Sequence, residues 1–376
     1  MFTDKNVPPP PGYKIDEATG TLHISLGQDG YNTDQRIVTG FESASDVPWL
    51  TTEAKANYTK VVVEESAGNK KLAPQTMAYW FQGASNIVSI NLDNLDASKV
   101  TSMNSTFYGC TALESLDLSN LNTIALTDMK STFRSTDSLA TLTLGGNFTT
   151  ENVTTMDGLF AGVDATETKS TTATNIVGMN ESFHTGNVTT FAGAFSNHKF
   201  TALDFSSFTI SQNIINNGFV SMFLGLSLPE GSTLNVESFS GKIGNLTNMF
   251  GALDGVTSIK FGQGFDTSAA KTMRGAFGEF KGTTLDLSSF SNASTIYISL
   301  QSMFYNCSNL TTIYVNKDLW VNGKDYSGSP YAFAGCKNLV GCNGDGTLIS
   351  EFDEDETIGD LAHIPYKDDS GIVHRG

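Results

Sequence analysis

The stretch that decides the fold is MNSTFYGCTALESLDL, residues 103–118. Its first five residues are a large apolar residue, three small or polar residues and a phenylalanine, and we call this five-residue phrase the anchor. The anchor recurs at 77–81, 103–107, 129–133, 156–160, 191–195, 219–223, 246–250, 273–277 and 300–304, and in a degenerate copy that ends at Phe333. A period of about 27 residues is typical of a solenoid, in which each repeat packs on its neighbours.

A second pattern lies about nine residues after most anchor phenylalanines. It is an apolar–polar–apolar triplet, such as Leu116-Asp117-Leu118, and its outer residues are predicted to point inward while the central one points outward. The central residues are Asn91, Asp117, Thr143, Asp204, Asn235, Lys260, Asp286 and Tyr314. We call these eight residues the sheet-face ladder. One short strand in every repeat predicts a parallel sheet along one side of the solenoid.

The anchor places apolar residues at its first and fifth positions, a spacing that puts both on one face of a helical turn. Each repeat is therefore predicted to contain a short helix or turn, a loop and one strand. The fold class that follows is an α/β repeat solenoid of about ten repeats, with N- and C-terminal caps. The anchor phenylalanines are predicted to stack on one another in a buried ladder.

Three parts of the chain are expected from the distribution of the repeat. Residues 1–57 are a proline-rich leader followed by a β-hairpin lead-in, with strands around 13–15 and 21–26. Residues 58–345 are the solenoid with its N-terminal cap, and residues 346–376 are an acidic C-terminal cap or tail. The threonine-rich segment 164–174 lengthens the fourth repeat, and we expect it to loop out of the core.

Composition and charge exclude several classes of partner. The 376-residue chain has a net charge of −17, which repels phosphate backbones and anionic membrane surfaces. No apolar run approaches the ~18 residues that span a membrane. Only 16% of residues are charged, well below the usual quarter, and the uncharged polar surface favours an extracellular protein. With neither a signal core nor an anchoring motif, the chain is expected to be soluble or a mature segment of a longer protein.

Catalytic and metal-binding chemistry is not indicated, and we predict no cofactor. The five histidines lack zinc-ligand spacing. Ser268-Ala-Ala-Lys271 fits the S-x-x-K pattern of serine acyl-enzymes, but its partner motifs are absent and the repeat explains the residues without chemistry. Cys307 and Cys336 occupy equivalent positions in neighbouring repeats; the geometry allows a bridge, but reduced, buried thiols are favoured.

The repeats resemble those of BspA-like leucine-rich-repeat bacterial surface proteins. The resemblance is carried by residues 103–121 and by 302–313, with Val61-Val-Val63 and 77–81 similar to the family's first unit and 337–341 to its last. It covers residues 58–345, although the anchor 219–223 lacks the Gly-Cys-x-x-Leu continuation. It implies a leucine-rich-repeat-like fold and a secreted or cell-surface bacterial protein with an adhesin-like role. It carries over no catalytic residue.

Two functions of different kinds follow. In the first, the sheet-face ladder of hydroxyl, amide and carboxylate groups binds a host or matrix protein or a glycan. In the second, the solenoid is a structural spacer or a self-assembling surface-layer component, and the polar ladder only keeps sheets apart. An enzyme that processes glycans would need two apposed carboxylates; the ladder supplies carboxylates, but on an open face with little to raise a pKa. The chain is expected to be a monomer, without nucleic-acid binding or membrane insertion by this segment.

Overall fold

Parallel pairing between strands of successive repeats is the main feature of the computed structural model. The structure describes residues 10–27, 29–66, 69–162, 172–209, 214, 216–291, 298–315 and 331–339, and the backbone of 341–342, 348–349, 366–367 and 373–374. The chain divides into unit 1, Met1–Val163 with Glu167–His184, and unit 2, Asp164–Thr166 with Thr185–Gly376. The domain boundaries predicted at 57 and 345 stay predictions.

Unit 1 contains eight short strands and a few single helical turns among its described residues. The strands are β1 (Pro11–Asp16), β2 (Thr21–Leu26), β3 (Asn32–Thr33), β4 (Lys60–Val63), β5 (Ser89–Asn91), β6 (Ser115–Asp117), β7 (Thr141–Thr143) and β8 (Asn175–Val177). The α-helical turns are α1 (Arg36–Thr39), α2 (Thr52–Lys55) and α3 (Met179–Ser182), and the 3-10 turns are Ala44–Asp46 and Pro48–Leu50. All of these turns lie outside the anchors.

The strands of unit 1 form two sheets. The first has the order β3-β1-β2-β4-β5, in which β1 and β2 form the predicted antiparallel hairpin and β2, β4 and β5 run parallel. The second is the parallel sheet β6-β7-β8. The hairpin therefore covers the outer edge of the first sheet, as a solenoid cap must.

Unit 2 also contains parallel strand pairs, and its described residues form three two-stranded sheets and one four-stranded sheet. Its strands are β9 (Ser227–Val236), β10 (Gly241–Lys242), β11 (Asp254–Phe261), β12 (Phe265–Asp266), β13 (Thr284–Leu287), β14 (Thr312–Val315), β15 (Gly341–Cys342), β16 (Leu348–Ile349), β17 (Tyr366–Lys367) and β18 (Val373–His374). The pairs β9/β11, β10/β12 and β13/β14 are parallel. The antiparallel hairpin β17/β18 pairs with the free side of β14, and β15/β16 form a separate hairpin.

The anchors are turns. The spacing of their apolar residues was compatible with either a short helix or a turn, and the hydrogen bonds of the backbone select the turn. Alternate backbone N–H groups donate to the next repeat: Ser105 to the carbonyl oxygen of Lys130 and Phe107 to that of Thr132, both at 2.9 Å. The intervening N–H groups close short local turns, such as Thr106 to Met103 at 3.1 Å. A helix is excluded because half of the donors bond outside the segment.

The third residue of every anchor has a left-handed backbone, with φ between 53° and 67°. These residues are Tyr79, Ser105, Ser131, Gly158, Gly193, Ser221, Asn248, Gly275, Ser302 and Tyr331. Glycine adopts this region without strain, and other residues pay roughly 1–2 kcal/mol there. Glycine and asparagine, which tolerate this conformation best, fill four of the ten positions.

The predicted phenylalanine ladder is confirmed within each unit. In unit 1 the ring centroids of the four successive anchors are 5.9, 5.7 and 5.1 Å apart. In unit 2 the spacings from Phe195 to Phe333 lie between 5.2 and 5.8 Å. All these rings are stacked and buried, so the anchor faces the core and sets the distance between repeats.

Three cysteines lie three residues after an anchor phenylalanine, and this position has a structural cause. The thiols of Cys110, Cys307 and Cys336 are free, and each donates to the carbonyl oxygen of the anchor phenylalanine one repeat earlier, at 3.2, 3.0 and 3.0 Å. Cys307 and Cys336 are thus reduced in this structure, as the sequence favoured.

One predicted strand is wrong. Leu203-Asp204-Phe205 forms no strand. The repeat that contains these residues pairs with the following repeat through a bridge between Lys199 and Ser227. The physical reason is a mismatch of length. The segment 227–236 of the following repeat is lengthened, so that Leu234 lies 11 residues after Phe223 whereas Leu203 lies 8 residues after Phe195, and the register of that segment with β11 shifts twice.

Eight short strands were missed: β3, β8, β10, β12, β15, β16, β17 and β18. Strand β8 continues the parallel sheet after the insertion, with Asn175 opposite Thr141 and Val177 opposite Thr143. Residues 164–171 of the predicted loop lie outside the described residues. Thr174, which ends the predicted loop, is buried and donates from Oγ1 to the carbonyl oxygen of Leu139 at 2.6 Å. The chain is therefore back in the core by this residue.

Candidate functional site

The sheet-face ladder is divided between the two units. Asn91, Asp117 and Thr143 belong to unit 1, and the other five residues belong to unit 2. Register brings together Asp117 with Thr143, Asn235 with Lys260, and Asp286 with Tyr314 on adjacent strands. Asp204 lies outside any strand. No observation tests whether these residues bind a ligand, so that assignment stays a prediction.

The ladder positions are on the surface, as the alternation predicted. Five are exposed and three are half-buried; the exposed ones are Asn91, Asp117, Asp204, Asn235 and Lys260. The residues on either side of Asp117 point into the core: Leu116 and Leu118 are 2% and 0% exposed. The strand therefore presents one polar side chain outward at each of these positions.

Five of the ladder residues also close a turn at the end of their strand. The Oδ1 atom accepts a hydrogen bond from the backbone N–H two residues further on, which is an Asx turn. The bonds are Asp93 N–H to Asn91 at 2.9 Å, Ser119 to Asp117 at 2.8 Å, Ser206 to Asp204 at 2.8 Å, Glu237 to Asn235 at 2.9 Å and Ser288 to Asp286 at 3.1 Å. Asp and Asn recur here because only their side chains make this turn well.

The Asx turn affects how these ladder residues could bind a ligand. It engages Oδ1 of each side chain, while a carboxylate has a second oxygen that can accept further hydrogen bonds. It also restrains the side chain, so that a ligand would lose less conformational entropy in ordering it. Five of the eight ladder residues are thus restrained acceptors, and four of these five lie on strands, whose paired neighbours are about 4.8 Å away.

The N-terminal hairpin extends the first row of the ladder, which the sequence did not reveal. Lys14, His23, Val62 and Asn91 are register partners on β1, β2, β4 and β5. The strands were predicted, but only the pairing of β2 with β4 sets their register. In unit 1, Val177 is a further residue that was missed; it lies beside Thr143 and is 44% exposed.

His23 belongs to a hydrogen-bonded group at this edge. Its Nδ1 lies 2.6 Å from Oε1 of Glu64, and the hydroxyl of Tyr31 donates to Oε2 of the same carboxylate at 2.6 Å. Burial and the bond to Glu64 raise the pKa of Tyr31. The three side chains tie the hairpin and the following loop to β4, a structural role for the cap.

The S-x-x-K motif and the possible metal ligands were the other candidates for a chemical role. Ser268 donates its backbone N–H to Oδ1 of Asp266 at 2.8 Å, and Lys271 donates its own to the carbonyl oxygen of Gly244 at 3.0 Å, so the S-x-x-K motif is part of the lead-in to an anchor. Across the described ranges, no three histidine, cysteine or acidic residues are placed to hold a metal ion. None of the helices in the described part of the chain is long and apolar enough to cross a bilayer.

Comparison with known proteins identifies one family. The model for the family described as "Mycoplasma protein of unknown function, DUF285" matches residues 75–208 and 221–338, about two thirds of the chain. No curated protein matches the sequence.

Among solved structures, a leucine-rich repeat protein from Eubacterium ventriosum is similar to this chain. The two are 14% identical, with 87% of this chain and 92% of the other covered, and the TM-score is 0.28. A TM-score this low does not establish a shared fold. The repeat fold of this chain rests on its own strand pairing and stacked rings.

Proposed function

The chain belongs to the DUF285 family, and from this premise we propose that it is a bacterial extracellular or cell-surface binding protein with an adhesin-like role. Its ligand is a protein or a glycan, held by the polar sheet-face ladder. The repeats' resemblance to BspA-like surface proteins supports the location. We further propose that the protein is a binding module and not an enzyme.

The observation that carries the proposal is that exposed Asx turns recur in each unit. Asn91, Asp117 and Asn235 each present a side chain that is outward-facing and restrained by a hydrogen bond to its own backbone. At Asp117 the acceptor is a carboxylate, and charge-assisted hydrogen bonds to carboxylates are roughly twice as strong as neutral ones. Within unit 1, acceptors on successive repeats, as at Asn91 and Asp117, suit an extended ligand with regularly spaced donors.

The test must remove charge without breaking the turns. The triple variant Asp117→Asn, Asp204→Asn, Asp286→Asn keeps every Oδ1 acceptor, so folding should be unchanged. The wild-type chain and the variant are applied to one array of immobilised glycans together with collagen, fibronectin and laminin. We expect the wild type to bind one of these probes and the variant to bind it at least tenfold more weakly, which corresponds to about 1.4 kcal/mol.

Two results would contradict the proposal. If the wild type and the variant bind a probe equally, the ladder is not the binding site. If the wild type binds none of the probes, the proposed ligand classes are wrong. The thermal unfolding midpoint of both chains is the control, because a shift would indicate that the turns had been disturbed.

A structural spacer is the second candidate, favoured by the use of the ladder carboxylates to cap strand ends. Assembly end to end needs open sheet edges. Here the hairpin β1/β2 lies at the outer side of β4, and the hairpin β17/β18 lies at the outer side of β14. These antiparallel caps favour a monomer. Light scattering over a hundredfold range of protein concentration should give a constant mass, and concentration-dependent growth would reverse the ranking.

A further inference from the structure

A polar groove lies in unit 2, outside the sheet-face ladder. It has a volume of about 800 Å³ and is lined by Ser240, Lys242, Gln263, Phe265, Asp266 and Ser289, among others. None of the eight ladder residues lines it. Its size falls within the roughly 300–1,000 Å³ of small-molecule sites.

The groove is formed by the same corner of three successive repeats. Strands β10 and β12 pair in parallel, with Gly241 opposite Phe265 and Lys242 opposite Asp266. The loop before β12 packs directly on the repeat below: a Cβ at Gly264 would lie 2.8 Å from Cβ of Ser240. The absence of a side chain at Gly264 therefore keeps these two loops in contact and fixes the spacing of the groove wall.

The lining side chains determine which ligand fits. Phe265 is fully buried, and the other five residues named above offer hydroxyls, an amide, an ammonium and a carboxylate. Lys242 and Asp266 are register partners, so their opposite charges favour a ligand without net charge. The net charge of −17 further disfavours an anion.

From this chemistry we propose that the groove binds a neutral oligosaccharide. Sugar hydroxyls both donate and accept, so they can pair with Ser240, Gln263 and Ser289 as well as with the two charged groups. Asp266 is fixed in place because its Oδ1 accepts from the N–H of Ser268 at 2.8 Å. The second oxygen of the carboxylate is the acceptor for a sugar hydroxyl. This site does not depend on the sheet-face ladder and is tested with different variants.

The experiment is calorimetric titration of the full chain with maltotriose, cellotriose and chitotriose. We expect at least one trisaccharide to bind. Asp266→Asn keeps the turn with Ser268 but removes the charge, and should weaken binding at least tenfold. Lys242→Gln should weaken it at least threefold. Asp96→Asn is the matched control, because Asp96 Oδ1 caps Ser98 N–H at 3.0 Å at the equivalent position of a unit 1 repeat, and it should leave affinity unchanged.

The proposal is overturned if none of the three sugars binds, or if Asp266→Asn and Asp96→Asn bind them as the wild type does. Sugar binding that is lost in the triple sheet-face variant but kept in Asp266→Asn would assign the sugar to the sheet face and reject the groove. If none of the trisaccharides binds, but the Asp266→Asn chain still binds a probe on the array of glycans and matrix proteins, the groove is rejected and the proposed function is not.

Discussion

The rings of Phe107 and Phe133 are parallel, with 1° between their planes and 5.7 Å between their centroids. Both side chains are fully buried, and each comes from the anchor of one repeat. Their contact joins two repeats whose backbones also exchange hydrogen bonds, so the ring and the turn fix the same spacing. This pair is the repeating unit of stability in the solenoid.

Removing one of these rings should destabilise unit 1 strongly. Phe107→Ala leaves a cavity between two stacked neighbours, and we expect a loss of about 3–5 kcal/mol in the free energy of unfolding. The measurement is guanidinium unfolding followed by circular dichroism. Tyr108→Ala is the control, since this half-exposed residue contacts the Arg134 guanidinium at 5.4 Å from the ring and should cost about 1 kcal/mol or less. Equal losses in the two variants would contradict the ladder as the main stabilising contact.

The left-handed third residue of the anchor gives a second prediction. Ser221 has φ of 56°, so Ser221→Gly should be neutral or stabilising, whereas Ser221→Val should cost at least about 2 kcal/mol because a β-branched residue is strained there. Urea unfolding of the two variants measures the difference. Thr247→Val introduces the same side chain at the second position of the next anchor and should change stability little. A tolerated valine at position 221 would argue against this turn.

The buried thiol of Cys110 should be inert in the folded chain. Burial raises its pKa, so the reactive thiolate is scarce even at pH 9, and its hydrogen bond to Phe81 holds it inside. In a chain with Cys307→Ala, Cys336→Ala and Cys342→Ala, we expect Cys110 to react with a thiol reagent only after guanidinium is added. The readout is the absorbance of the released chromophore with time. Fast labelling of this chain without guanidinium would show that the Cys110 thiol is accessible.

The buried His198 predicts a loss of stability in acid. Its ring lies 4.7 Å from that of Phe200, and burial lowers its pKa to about 4. The unfolded chain takes up a proton near pH 6.5, while the folded chain does so only near pH 4, so stability is present above pH 6.5 and falls as the pH drops towards 4. Between pH 7 and pH 5 this group should remove about 2 kcal/mol.

The test of His198 compares pH dependence between variants. In His198→Gln the fall in unfolding free energy between pH 7 and pH 5 should be smaller than in the wild type by that amount. His184→Gln, at an exposed position, should follow the wild type. Parallel pH profiles of the wild type and His198→Gln would contradict a buried neutral histidine.

The sequence by itself determined the period, the inward positions and most of the strands. These could be predicted because a solenoid packs each repeat on its neighbours, so that the same local pattern must recur wherever the same contact is made. Phe107, Leu116 and Asp117 took the buried, buried and exposed positions that their spacing predicted. The equivalent positions of Cys307 and Cys336 left a bridge possible, and the structure has both as free thiols.

The tertiary structure alone decided the features that depend on partners one repeat away. Apolar residues four apart fit either a helix or a turn, and only the bonds from Ser105 to Lys130 and from Phe107 to Thr132 select the turn. The polar residues of the ladder were predicted correctly in place, but their Asx turns, the row from Lys14 to Asn91 and the groove beside Asp266 were not. Each of these arises from register and loop contact between strands, and a one-dimensional pattern does not contain that information.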